Sequence, residues 1–264
     1  MTYLHSIILG IVEGITEFLP ISSTGHLMLV EELLGIAKSS FTKSFDIIIQ
    51  LGAISSVIVL YWKTLWKVET IKKLIVAFIP TGIIGLLLYK IVKTYFLGNN
   101  SIVLIALFVG GIALIVFEYF YKRKTVSMQG SVAQVESDGI NAISYKQAFS
   151  IGLFQSIAII PGVSRSAATI VGGLLLGLKR ATIVEFSFLL AIPTMVAASG
   201  LDIMKNYDVF TRDQFGVLAV GFIVSFVVAL FSIKFLLRYI QKHDFTPFGV
   251  YRIVIALLFW FVIL

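Results

Sequence analysis

No cysteine occurs in the 264 residues, which excludes a disulfide, a thiolate nucleophile and any cysteine-ligated metal. Charge is scarce as well. Asp, Glu, Lys and Arg together make up 13% of the chain, about half the share usual in soluble proteins, and this excludes an ordinary cytoplasmic enzyme. Alternating apolar and polar segments are missing, which excludes a membrane β-barrel. The N-terminus has no basic region, and Glu13 and Glu17 interrupt the first apolar run, so no cleavable signal peptide is expected. Histidine is rare too: of the three, His5 and His243 lie near chain or loop ends, and only His26 stands inside the body of the sequence.

What is abundant is apolar. Hydrophobic residues make up 58%, and the mean hydropathy is +1.00. Continuous apolar runs cover Phe45–Tyr61, Leu74–Tyr89, Ile102–Phe120, Ala167–Leu178, Ile183–Ala198, Phe215–Leu237 and Val250–Leu264. Several approach the roughly 20 residues needed to cross the hydrocarbon core as a helix. The expectation is an all-α polytopic membrane protein. The net charge of +7 comes from basic residues gathered at the ends of apolar runs, not from a stripe. That pattern suits anionic headgroups and topology control, and no nucleic-acid partner is expected. Lys63, Lys67, Lys72 and Lys73 mark one cytoplasmic loop, and Lys122-Arg123-Lys124 with Lys146 another. Arg238, Lys242 and Arg252 are read as cytoplasmic by the same rule, and Asp202–Asp213 as external.

The two halves resemble one another. Gly10-x-x-Glu13 returns as Gly152-x-x-Gln155, and Pro20-x-Ser22 as Pro161-x-x-Ser164. Phe78-Ile, then Leu86 and Lys90, returns as Phe222-Ile, then Leu230 and Lys234. The lysine-based topology runs the matching segments in opposite directions, which makes an inverted-topology repeat with broken or re-entrant helices at the site. Residues 1–264 are taken as a single transmembrane domain, with a first repeat at 1–120, a polar cytoplasmic loop at 121–144 and a second repeat at 145–264.

Each half carries one polar segment that an apolar bundle does not explain. The first is Glu13-Gly-Ile-Thr-Glu-Phe-Leu-Pro-Ile-Ser-Ser-Thr-Gly-His26, and the second is Pro161-Gly-Val-Ser-Arg-Ser-Ala-Ala-Thr169. Ionisable groups at such depth are costly and mark function by default. Pro20 and Pro161 break the helical hydrogen-bond ladder, and the freed backbone N–H groups suit an anion. Glu13 and Glu17, four apart, share a helix face as a cation site or an acid–base pair. Ser22, Ser23 and Thr24 supply hydroxyls that either cap the next helix or react. His26 follows as nucleophile, general base or general acid. Arg165 offers a planar fork suited to phosphate, or a structural partner for Glu17. Glu185 either pairs with Lys179 or Arg180 within a turn or two or reaches the site, and the structural role is favoured.

The two segments resemble the signatures of bacterial undecaprenyl-diphosphate phosphatases of the bacitracin-resistance type, and the likeness extends over the chain, including Glu185-Phe-Ser-Phe-Leu-Leu-Ala-Ile-Pro193. The resemblance implies a multi-pass enzyme of the bacterial inner membrane that hydrolyses the lipid diphosphate to the monophosphate and confers bacitracin resistance. It implies catalytic roles for Glu17, Ser23, His26 and Arg165. Ser22, Thr24, Gly162, Ser164, Ser166 and Thr169 would line the phosphate pocket. Glu13 and Glu17 would hold a divalent cation, Mg²⁺ or Ca²⁺. Undecaprenyl diphosphate and membrane lipid are the expected partners, with a homodimer left open. A secondary transporter or flippase for an anionic lipid is the rival reading.

Overall fold

The computed structural model describes residues 1–96, 99–128, 139–205 and 214–263. Among them are ten α-helices and no strand. They are α1 (Tyr3–Thr16), α2 (Ser23–Leu33), α3 (Ser40–Leu65), α4 (Val68–Ile91), α5 (Asn100–Met128), α6 (Tyr145–Gln155), α7 (Arg165–Leu175), α8 (Arg180–Lys205), α9 (Phe215–Tyr239) and α10 (Thr246–Ile263). Among the described residues, five stretches are long and apolar enough to cross a membrane: Ser40–Leu65, Val68–Ile91, Asn100–Arg123, Arg180–Gly200 and Phe215–Tyr239. Large apolar side chains such as Leu86, Leu87, Phe231 and Phe261 point outward, unpacked by protein. In a chain this hydrophobic such a surface belongs against lipid. The protein is a multi-pass, all-α membrane protein.

The helix boundaries follow local chemistry. Ser39, Ser144 and Ser164 each accept a backbone N–H two or three residues into the helix they open, at α3, α6 and α7. At α6 the cap is reciprocal, because the Gln147 side chain accepts from the Ser144 backbone N–H at 2.9 Å. The polar loop expected at 121–144 is shorter than its composition suggests. Helix α5 runs on to Met128, and a 3₁₀ turn at Ile140–Ala142 leads into α6; residues 129–138 lie outside the described residues, as do Leu97, Gly98 and 206–213.

Both halves run in the same order. A short helix, a break and a second short helix (α1–α2, α6–α7) precede a helix of 26 residues (α3, α8). The packing is exchanged between halves: α1 lies chiefly on α9, and α6 on α4. The contacts themselves correspond. A Cβ on Gly10 would sit 2.9 Å from the Gly221 carbonyl oxygen, and one on Gly152 would overlap that of Ala77. Gly221 and Ala77 are the residues just before the repeated Phe-Ile pairs. Each glycine lets two helix backbones approach closely, the usual device where apolar packing alone gives little association in lipid.

One basic residue is not where charge counting puts it, and two more are tied to other segments of the protein. Arg252 is 1% exposed, deep in the bundle, rather than at the cytoplasmic edge. Arg180 turns to Glu118 on α5, through Nη2 and Oε2 at 3.0 Å and a second bond between Nη1 and Oε1, rather than to Glu185. Lys73 is buried and donates to the Asn141 carbonyl at 2.8 Å. Charge bias alone does not separate a headgroup lysine from a cation that ties helices together.

Candidate active site

The two breaks meet inside the bundle. Helix α1 ends at Thr16, residues 17–22 are irregular, and α2 begins at Ser23. Pro20, with no N–H to donate, fits a stretch where the ladder is absent. Ser22 is the one non-glycine residue with positive φ among the described residues (φ 72°, ψ 94°). Such a conformation costs on the order of 1–3 kcal/mol and persists only where its surroundings impose it. In the second half, α6 passes into a 3₁₀ turn at Ser156–Ile159, and α7 begins at Arg165. Gly162, at φ 90°, makes the turn before it.

Glu17 is the hinge of the cluster. Its Oε2 accepts from the Ser23 hydroxyl at 2.6 Å, and its Oε1 accepts from Arg165 Nη2 at 3.1 Å. Arg165 Nη1 donates to the Ser187 carbonyl at 2.8 Å, which anchors the guanidinium to α8. The Arg165 Nε is buried with no partner, so one donor of the fork is uncommitted. The ion pair is largely desolvated, with side-chain exposures of 9% and 2%. Removing one member of such a pair strands the other at a cost of about 3–5 kcal/mol. Glu13 is fully buried one turn back, and neither carboxylate oxygen has a hydrogen-bond partner. The charged groups acting on it are Glu17, Asp46 and Arg165.

His26 lies in the first turn of α2, three residues after Ser23. Its Nδ1 is 2.8 Å from the Ser22 carbonyl, and its Nε2 is 2.9 Å from the Tyr251 hydroxyl. A carbonyl only accepts, so Nδ1 carries the proton and Nε2 accepts from tyrosine. The rings of His26 and Tyr251 lie parallel, with centroids 5.5 Å apart. Within the described hydrogen bonds, His26 reaches neither Ser23 nor Glu17 directly.

The other hydroxyls read from the sequence are mostly engaged in joining segments. Ser164 caps α7 through the Ala167 N–H at 3.1 Å. Ser166 donates to the Phe18 carbonyl at 2.8 Å, stitching the second break to the first. Thr169 bonds the Ser187 hydroxyl at 2.6 Å. Ser22 is buried without a capping bond, Thr24 is exposed, and the Gly162 carbonyl accepts from Arg252 at 3.2 Å. Asp46, Ser187, Tyr251 and Arg252 join the site without standing out as site residues in the sequence. The adjacent Tyr251-Arg252 at the start of an apolar run is the available signal. The depression of about 410 Å³ at Glu32, Gly35, Ile36 and Lys38 is lined by none of these groups.

This arrangement places a hydroxyl against a carboxylate, and the carboxylate against an arginine with a spare donor. It suits transfer of a phosphoryl group: a nucleophile beside a base, and a planar cation for the oxygens. Comparison with known proteins agrees. The family model for the bacitracin resistance protein BacA matches residues 6–258. A protein of Sulfurihydrogenibium sp. (strain YO3AOP1) described as undecaprenyl-diphosphatase is 50% identical over 260 residues, 98% of this chain and 99% of its own. Those of Persephonella marina (51% identical) and Aquifex aeolicus (49%), with the same description, each align over 98% of this chain and 98% of their own. The chain belongs to the bacitracin resistance protein BacA family.

Proposed function

We propose that this chain hydrolyses undecaprenyl diphosphate to undecaprenyl phosphate and inorganic phosphate, and that the contact between the two breaks is where the reaction occurs. The observation that carries the site assignment is the Ser23–Glu17–Arg165 chain of bonds, which joins both halves through a desolvated ion pair with a hydroxyl at one end. The relatives' shared description carries the substrate. Bacitracin resistance goes with the family. The product is the carrier lipid of peptidoglycan synthesis, and the inner membrane is the compartment where such a carrier is recycled. The exchanged α1–α9 and α6–α4 packing supports reading the halves as an inverted-topology repeat.

In the mechanism, the prenyl tail stays in lipid against the apolar flank of the bundle, and the diphosphate enters between the breaks. Arg165 keeps Glu17 oriented and turns its spare Nε–H toward the terminal phosphate. The Ser23 Oγ passes its proton to Glu17 and bonds to the terminal phosphorus. The P–O bond to undecaprenyl phosphate breaks, and the leaving oxygen keeps the electron pair. Glu17 gives up its proton to that product, then takes one from a water that attacks the phosphoserine. Inorganic phosphate departs, and Ser23 regains its proton. Direct attack by water on the diphosphate is the competing route. His26 holds the Ser22 carbonyl, one residue before the nucleophile, and exchanges a proton with Tyr251 across Nε2.

A divalent cation fits Glu13 and Glu17. Glu13 has two buried oxygens with no partner, and a carboxylate such as Glu17 has lone pairs beyond its two bonds. Among the described residues no group of three or more His, Asp or Glu is arranged to hold a metal. The remaining ligands would be phosphate oxygens and water, as is usual for Mg²⁺. Such an ion would neutralise charge on the phosphate oxygens.

Phosphate release by purified protein in detergent separates this reading from transport, because hydrolysis needs no second compartment. Turnover should be high on long prenyl diphosphates and poor on inorganic pyrophosphate, which forgoes about 0.8 kcal/mol of burial per CH₂. Equal efficiency on both would overturn the lipid assignment. Labelled phosphate trapped on the wild-type chain but not on Ser23→Ala would select serine attack over water. A chain that runs as a monomer in detergent and retains full turnover would remove the homodimer from the account.

A further inference from the structure

Arg252 is among the largest side chains fully enclosed by the protein. Its guanidinium makes four hydrogen bonds, all to backbone carbonyls. Nε donates to Leu107 at 3.3 Å, Nη1 to Pro20 at 3.3 Å, and Nη2 to Ala106 at 3.1 Å and Gly162 at 3.2 Å. No carboxylate among the described residues pairs with it. Ala106 and Leu107 belong to α5. Pro20 and Gly162 belong to the two breaks, each three residues before the helix that follows, which opens at Ser23 in the first and at Arg165 in the second. One planar group therefore sets the distance between the segment that carries the hydroxyl and the segment that carries the phosphate-facing cation.

A neutral amide, with two N–H donors on one nitrogen, would reach at most two of these carbonyls. An arginine buried in a membrane bundle with no counter-ion is a costly choice, and its charge lies at the junction into which an anionic diphosphate must come. The bundle also makes room for it. A Cβ on Gly110 would overlap the Arg252 guanidinium, so glycine at that position is what leaves the side chain its seat.

We infer that Arg252 is a positioning residue of the phosphatase reaction: it fixes the two breaks in register through Pro20 and Gly162, and its unneutralised charge lowers the cost of bringing the diphosphate between them. This rests on the hydrolytic reading above, and the role differs from that of Arg165, which faces the phosphate itself. The two parts of the role separate by substitution. Lysine keeps the charge but has a single nitrogen, which does not span carbonyls on three segments. Methionine removes charge and bonds together.

The test is kcat and KM on undecaprenyl diphosphate for Arg252→Lys, Arg252→Met and Gly110→Ala, each normalised to monodisperse, helical protein. Arg252→Lys should lower kcat at least about tenfold with KM within about threefold of wild type, the mark of an interaction that acts on the transition state rather than on binding. Arg252→Met should lower kcat further and raise KM as well. Gly110→Ala leaves the charge in place and crowds its seat, and it should reproduce the lysine result. Spin labels at Ile15→Cys and Ile160→Cys, one beside each break on a cysteine-free background, give a readout independent of activity. Their distance distribution should be narrow with Arg252 in place and broad in the Arg252→Met variant. Wild-type kcat per folded molecule in Arg252→Lys and Gly110→Ala, or a distribution unchanged by Arg252→Met, would overturn the inference. A wild-type protein that releases no phosphate while the labels still broaden would instead fault the hydrolytic reading and leave the register role standing.

Discussion

Glu13 and Gln155 stand at matching positions, three residues after Gly10 and Gly152, and their surroundings diverge. The Gln155 amide donates to the Thr81 hydroxyl at 2.9 Å and to the Thr194 hydroxyl at 3.1 Å. Those threonines pass the bonding on, Thr81 to the Gly152 carbonyl and Thr194 to that of Leu190. A neutral side chain is thus knitted into three helices. At Glu13 the same position carries a fully buried carboxylate whose oxygens bond nothing. The second half satisfies the Gln155 amide nitrogen and leaves only its neutral Oε1 without a partner, whereas the first half leaves both oxygens of an ionisable group unpartnered beside Glu17. An unsatisfied carboxylate persists at a cost, and this one lies next to the group that binds both Ser23 and Arg165. Under the proposed mechanism, the chemistry belongs to the first break and the support of its cation, Arg165, to the second.

The sharpest way to break this comparison is at its charged centre. Glu17→Gln should lower kcat by about 10²–10⁴, the range for losing a general base, measured as phosphate release on protein of verified fold. Next, Arg165→Lys keeps a cation near Glu17 but loses the fork. Turnover should fall at least tenfold, about 1.4 kcal/mol in the barrier, while the detergent-extracted protein stays monodisperse. An unfolded Arg165→Lys would favour a purely structural ion pair. A smaller effect comes from making the halves alike. Glu13→Gln should raise the Mg²⁺ concentration needed for half-maximal activity, with turnover recovering partly at high Mg²⁺. An unchanged requirement would leave Glu13 with no part in holding the ion. The reverse exchange, Gln155→Glu, should cost stability by about 1–3 kcal/mol through lost bonds and a buried unpaired acid, with no gain in hydrolysis.

The least of these effects belongs to Ser22. Glycine there relieves a positive φ and should stabilise the fold by about 1 kcal/mol. It also loosens the turn that places Ser23, so kcat should drop a few-fold. A thermal shift upward with unchanged kcat would show that the strained turn does not position the nucleophile.

The helices are legible because their apolar runs are continuous. The run Phe215–Leu237 corresponds to the helix Phe215–Tyr239, and Leu74–Tyr89 to Val68–Ile91. Both breaks are legible because proline and hydroxyl-rich turns interrupt those runs, and Glu17, Ser23 and Arg165 do converge across 148 residues of separation. What escapes the sequence is partner choice. Arg252 sits at one end of an apolar run, where counting charge reads it as cytoplasmic, yet the fold carries that end of α10 to the junction of the breaks. Arg180 is next to a run containing Glu185 and turns instead to Glu118, 62 residues away. Local sequence shows which residues need a partner in lipid, and tertiary packing decides which partner they get. Ser166 and Thr169 show the same limit: their residue type suits phosphate, but one is taken up by the Phe18 carbonyl and the other by the Ser187 hydroxyl.

The central claim is that Glu17 and Arg165 act as one unit across the two breaks. A double-mutant cycle with Glu17→Gln, Arg165→Lys and the combined variant, read as kcat/KM for undecaprenyl diphosphate, tests it directly. The account predicts that the combined variant is no slower than about threefold below the worse single one, because either change disables the same unit. Losses that multiply, each substitution exacting its full factor on top of the other, would show two independent sites and contradict it.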